Sequence, residues 1–128
     1  MYTQYHNPDT KKFVDKTGLS AFEGAGNKGL GRDKLHHGSN SGYQAINMAY
    51  LLGATQIILL GYNMGKPNGK AHFFGDHPKG LRNGNYESYI NNFTRLAEDL
   101  AHEGVEVINC TPDTRLTQFK KAALCEAL

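Results

Sequence analysis

The chain reads as an α/β protein: a parallel sheet in a three-layer arrangement, with helices on both faces. Three observations predict it. Apolar residues at spacings of 3 and 4 (Tyr86, Tyr89, Ile90, Phe93, Leu96, Ala97 and Leu100) mark an amphipathic helix over 86–102. The apolar run at 57–60 and the Val105-Glu106-Val107-Ile108-Asn109 stretch flank that helix in sequence, each the length of one strand. From residue 41 onward the order is helix, strand, helix, strand, helix, and strands separated by helices pair in parallel through crossovers.

The 128 residues fit a single domain with one hydrophobic core. Residues 1–38 read as an irregular N-terminal segment, with short strands expected at 12–14 and 33–37. The first helix is expected over 41–52, facing inward through Ala45, Ile46, Ala49 and Leu52 and ending at Gly53. Ile57, Ile58, Leu59 and Leu60 are apolar at every position, which suits a central strand covered on both faces. Gly104 closes the 86–102 helix, and 105–109 is the next strand. After Thr111-Pro112, either Asp113 or Thr114 can cap a last helix carrying Leu116, Phe119 and Leu124.

Composition excludes several classes of partner. Fourteen Lys and Arg against 12 Asp and Glu leave a formal charge of +2, too little to attract DNA, RNA or a membrane surface. No apolar run approaches the roughly 18–20 residues that span a bilayer, and the polar start Met1-Tyr2-Thr3-Gln4 lacks a signal-peptide core. Cys110 and Cys125 have neither metal-site spacing nor the numbers of a disulfide scaffold. A reduced, cytoplasmic protein with no cofactor and no bound metal is expected.

The most informative stretch is Ser39-Asn40-Ser41-Gly42-Tyr43-Gln44-Ala45-Ile46-Asn47, a polar turn running into a helix. A helix start carries unpaired N–H groups and the positive end of the helix dipole, so it can seat a phosphate or carboxylate. Ser39, Asn40 and Ser41 can cap it, and Gly42 lets an anion come close to the backbone. An ordinary cap would look the same. A second candidate is the long connection between Gly61 and Asn85, about 25 residues without periodicity, a length that usually signals function or disorder. It leaves the carboxyl end of a strand, where open α/β sheets bind ligands. This loop holds Lys66, Lys70, Lys79 and Arg82 against one acid, Asp76, and offers Tyr62, Phe73 and Phe74 as stacking faces.

His72 and His77, with Asp76 between them, admit three readings: a general base, metal ligands, or simple contacts to a phosphate or ribose. A zinc site is the minor one, because no Cys or Glu completes the set. Gly24-Ala25-Gly26-Asn27-Lys28-Gly29 matches the dinucleotide-binding string, but no strand precedes it and no amphipathic helix follows, so it reads as a loop.

Asn40-Ser41-Gly42-Tyr43-Gln44-Ala45-Ile46-Asn47, Leu59-Leu60-Gly61-Tyr62-Asn63-Met64, His72-Phe73-Phe74-Gly75-Asp76-His77-Pro78 and Asn109-Cys110-Thr111-Pro112 occur in this order. Together they resemble a Rossmann-like family of phages and prophages, related to motility-accessory glycosyltransferase-like proteins and distantly to bacterial sialyltransferases. The resemblance covers roughly residues 38–128. It implies that the Asn40-Ser41-Gly42 turn meets a nucleotide phosphate and that His72 or His77 is a base. The chain departs from that family at Asn63, where an aspartate is usual. It also has about 37 N-terminal residues in place of the family's first nucleotide-binding half.

The expectation is a small domain that binds a nucleotide or nucleotide-derived molecule without turnover. Asn40, Ser41 and Gly42 would hold phosphate, Lys70, His72, His77 and Arg82 would add charge, and Tyr43, Tyr62 or Phe74 would stack, with Asn63 and Asp76 alongside. Family context suggests a phage protein that sequesters a nucleotide signal of host immunity in the host cytoplasm, as a homo-oligomer. The alternative is a nucleotide-sugar transferase using His72 or His77 as base. A third reading is a virion or assembly protein with a vestigial pocket.

Overall fold

The computed structural model describes residue 16, residues 29–65 and residues 85–128. The strand expected at 12–14, the glycine-rich 24–28 stretch and the loop residues 66–84 lie outside these. In order, the described elements are α1 (Ser41–Leu51), β1 (Gln56–Leu59), α2 (Tyr86–His102), β2 (Glu106–Asn109), β3 (Lys120–Lys121) and α3 (Leu124–Ala127). The class is α/β, with a small sheet of three parallel strands in the order β1-β2-β3. β1 and β2 run in register from Gln56 beside Glu106 to Leu59 beside Asn109, and Ile108 and Asn109 then pair with Lys120 and Lys121.

The helix boundaries follow from local chemistry. Asn40, in extended backbone, caps α1 by accepting the Tyr43 N–H on Oδ1 at 2.8 Å. Asn85 does the same for Ser88 at the start of α2. Both helices end alike: Gly53 and Gly104 turn left-handed, at φ +89° and +72°. The amide after each glycine then reaches back, Ala54 to the Ala49 carbonyl and Val105 to that of Leu100, both at 3.0 Å.

Side chains alternate across the strands, which divides the core in two. On one face Ile57, Leu59 and Val107 pack with Tyr43 and Ile46 of α1, with Phe93, Leu96 and Leu100 of α2, and with Leu116 and Phe119. Phe93 is the hub, its ring 5.5 Å from that of Tyr43 and edge-on to Phe119 at 6.1 Å. Burying each such side chain contributes about 1.5–3 kcal/mol. On the other face Ile108, Cys110 and Ala127 cluster with Ile58 and Ala122. Among the described residues, the helical contribution to this second face is Ala127 of the single-turn α3.

Four expectations are corrected. The buried side of α1 is Tyr43, Ile46 and Asn47, not Ala45 and Leu52, which are exposed. Asn47 belongs inside because its amide is fully engaged there, and Leu52 falls outside because it is the C-cap. Among the described residues β1 is an edge strand and β2 is the central one; Ile58 is half-buried and Leu60 is 59% exposed. Residues 33–37 form bends with one bridge residue rather than a strand. Finally, 113–119 is not helical. The Leu116 N–H bonds to Thr114 Oγ1, the Arg115 N–H to the Asn63 carbonyl, and Asn109 Nδ2 reaches the Leu116 carbonyl, so groups a helix would pair internally are spent elsewhere. Leu116 and Phe119 are still buried, but from a loop.

Candidate functional site

Parallel strands bring the chain out of the sheet at one edge, so the segments after β1 and β2 are neighbours there. Tyr62 ties them together. Its N–H donates to Thr111 Oγ1 at 2.9 Å, and its carbonyl accepts the Thr114 hydroxyl at 2.5 Å. Asn63 Nδ2 donates to the Asp113 carbonyl at 3.0 Å, and the Asn63 carbonyl takes the Arg115 N–H at 2.8 Å. The Tyr62 hydroxyl then reaches the first turn of α1, donating to the Gly42 carbonyl at 3.0 Å. A Cβ on Gly42 would stand 2.9 Å from the Tyr62 ring, so glycine is what allows helix and ring to meet.

An open cleft of about 390 Å³ lies against these loops, lined by residues 112–115 with Asn63, Gly65 and Lys121. Two cations face it. Arg115 pairs with Glu87 in the first turn of α2, and Lys121 Nζ donates to the Pro112 carbonyl at 2.5 Å. Gly65 sits under Arg115, where an added Cβ would be 3.0 Å from the arginine Cδ. Ser39 and Met64 are the described non-glycine residues with left-handed backbone, at φ +63° and +51°. Both belong to the loops at this edge, and such strain concentrates where ligands bind.

The sequence-predicted residues divide clearly. Asn40, Ser41, Gly42, Tyr62 and Asn63 gather at the carboxyl edge. In α1 the Tyr43 and Gln44 N–H groups are taken by the Asn40 side chain and carbonyl, and among the described residues no acceptor takes those of Ser41 and Gly42. Tyr43 is corrected: its ring is fully buried and its hydroxyl donates to the Gly29 carbonyl, so it has no face for a ligand. Burial, reinforced by the charge of Asp99, pushes its phenol up to about 12. Tyr62 is half-buried with its ring edge-on to Phe93 at 6.5 Å, and burial raises its phenol too. Lys70, His72, Phe74, Asp76, His77 and Arg82 lie outside the described residues.

Sequence reasoning missed Arg115, Lys121 and Glu87. Asn109-Cys110-Thr111-Pro112 leads into this edge, but nothing in the helix expected over 113–119 brings Arg115 or Lys121 to the cleft.

A second cleft of about 610 Å³ lies between α2 and residues 30–36, lined by Leu30, Arg32, His36, Asn91, Asn92, Arg95 and Asp99. Its chemistry is largely engaged within the chain. Asp99 accepts the Leu30 N–H at 2.9 Å and Arg95 Nε at 3.2 Å, while Arg32 bonds Glu103 at 2.5 Å. That arginine, with help from the Tyr50 hydroxyl, holds the Glu103 carboxyl below its ordinary range. This cleft reads as the seam that docks residues 29–36 on the helices.

Among the described residues no three His, Cys, Asp or Glu side chains are grouped to hold a metal ion, and no helix is long and apolar enough to cross a membrane. No family model, curated protein or solved structure matches the chain.

Proposed function

We propose that the chain binds a nucleotide or nucleotide-derived small molecule at the carboxyl edge of its sheet. One observation carries the reading: Tyr62 and Asn63 tie the first turn of α1 to the backbone of Asp113 and Arg115 at one edge of the sheet, beside a cleft that Arg115 and Lys121 line. Helix-start N–H groups and two cations suit phosphate oxygens. The sheet reads as part of a Rossmann-like three-layer fold, for which the carboxyl edge is the general ligand position. Binding without turnover fits Asn63, whose amide is engaged with the Asp113 carbonyl and cannot exchange a proton as an acid would. On the resemblance described above, the biological role is that of a phage protein sequestering a nucleotide signal of host defence.

The test is thermal unfolding against nucleotides, sugar nucleotides, ADP-ribose derivatives and cyclic nucleotides, with each ligand recovered afterwards. A ligand at about 100 times its Kd stabilises the fold by about 2.7 kcal/mol, several degrees for a domain of this size. A shift with the ligand intact supports sequestration. A shift with the ligand cleaved supports a nucleotide-sugar transferase instead, and no shift with any ligand removes both.

A further inference from the structure

Both cations of the cleft are already engaged with acceptors of the chain itself. Arg115 is held by the Glu87 carboxylate and Lys121 by the Pro112 carbonyl. Only the side chain of Arg115 is free to change partners. Its backbone is fixed by the N–H bond to the Asn63 carbonyl, and Asn63 is fixed in turn by its amide to Asp113. The pair with Glu87 is at the surface, where the two side chains are 54% and 70% exposed. Exposed pairs of this kind are weak and easily exchanged for another anion.

We propose that Glu87 is a built-in competitor for the anion seat: its carboxylate occupies Arg115 in the empty protein and gives it up to a ligand phosphate. The inference rests on the binding reading above and specifies how that site is regulated. Glu87 suits the part because it stands in the first turn of α2, where the helix dipole stabilises a carboxylate that has lost its arginine. A phosphate in the cleft would take the guanidinium with two parallel bonds in place of the single pairing to Glu87. The seat is therefore partly screened when empty, and every anion that takes Arg115 must first outcompete Glu87, a cost that weighs most on weak or singly charged ones. Selection favours di- and triphosphate groups over lone carboxylates.

The experiment is calorimetric titration of the full chain with inorganic pyrophosphate and with ADP, using wild type, Glu87→Gln, Arg115→Ala and the double variant. Glu87→Gln is expected to tighten pyrophosphate binding about two- to fivefold, the size of an exposed ion pair. Arg115→Ala is expected to weaken it at least about tenfold. The gain from Glu87→Gln should vanish in the Arg115→Ala background, because the competition runs through that arginine. An equal gain in both backgrounds would mean that Glu87 acts only through its general field. Unchanged or weaker binding by Glu87→Gln would mean that it orients Arg115 for the ligand. Either result overturns the competitor role and leaves the binding reading intact. Failure of the wild-type chain to bind pyrophosphate and ADP alike would remove the anion seat, and the inference with it.

Discussion

Asn47 offers the most direct test of how this fold is held. It is fully buried in α1, and one amide makes three bonds to a segment far from it in sequence. Its Oδ1 accepts the Gly31 and His36 N–H groups, both at 3.0 Å, and Nδ2 donates to the Gly31 carbonyl at 2.8 Å. The change Asn47→Ala removes all three. At about 1 kcal/mol net for each bond the loss is about 3 kcal/mol. Gly31 is itself buried, so water cannot replace its partners, and stranding them adds about 1–2 kcal/mol. The alternative is release of residues 29–36, which exposes Leu30 and Leu35, now 4% and 3% exposed, at about 1.5–3 kcal/mol each. The two routes cost about the same, so the expected destabilisation is about 3–5 kcal/mol. That is a large share of the roughly 5–15 kcal/mol holding a typical domain. Urea unfolding followed by circular dichroism measures it, and hydrogen exchange at Gly31 and His36 distinguishes local release from global loss. A destabilisation below about 1 kcal/mol, with those two amides still protected, would refute the clamp.

The Tyr43 phenol, raised to about 12, predicts a stability loss in alkali. A folded-state value above the unfolded one (about 10) means that the folded chain keeps its proton while the unfolded chain gives it up. The stabilisation is therefore complete below about pH 10 and falls as pH rises through 12, by about 2–3 kcal/mol in all. Urea midpoints between pH 9 and 11.5 should fall, and Tyr43→Phe should flatten that slope while costing about 1 kcal/mol at neutral pH for the lost bond to Gly29. An unchanged slope in the variant would assign the effect to other tyrosines. Two glycines separate backbone strain from steric clash. Gly53→Ala meets no atom within 4 Å but must hold φ +89°, so about 1–2 kcal/mol is expected. Gly31→Ala would put Cβ 1.8 Å from the Lys34 carbonyl, so at least about 3 kcal/mol is expected. Equal thermal shifts for the two would contradict this account.

Sequence and structure agree most closely where the signal is local. The 3-and-4 repeat of 86–102 sets α2 from Tyr86 to His102, and Gly53 and Gly104 end their helices as expected, because periodicity and a left-handed glycine are written in adjacent residues. Of the residues proposed for the site, Asn40, Gly42, Tyr62 and Asn63 could be picked from sequence because all stand within a few residues of a helix start or a strand end. Tyr43, expected from sequence to offer a stacking face, is instead buried, because Gly29 arrives from elsewhere in the chain to meet its hydroxyl, and Asn47 is buried in the same way against Gly31.

The amino-acid sequence by itself determined the α/β class, the two long helices and the two longer strands to within a residue at each end, and a polar turn at the start of α1. Only the tertiary structure decided which side of α1 faces inward, that β2 rather than β1 is central among the described strands, and that 113–119 runs as a loop. It alone brought Arg115 and Lys121 to one cleft and set Glu87 against Arg115. The reason is physical: helix and strand propensity act over a few neighbouring residues. Pairing of Asn109 with Leu116, Asn63 with Arg115, and Asn47 with Gly31 depends instead on which backbone groups the completed fold leaves within reach.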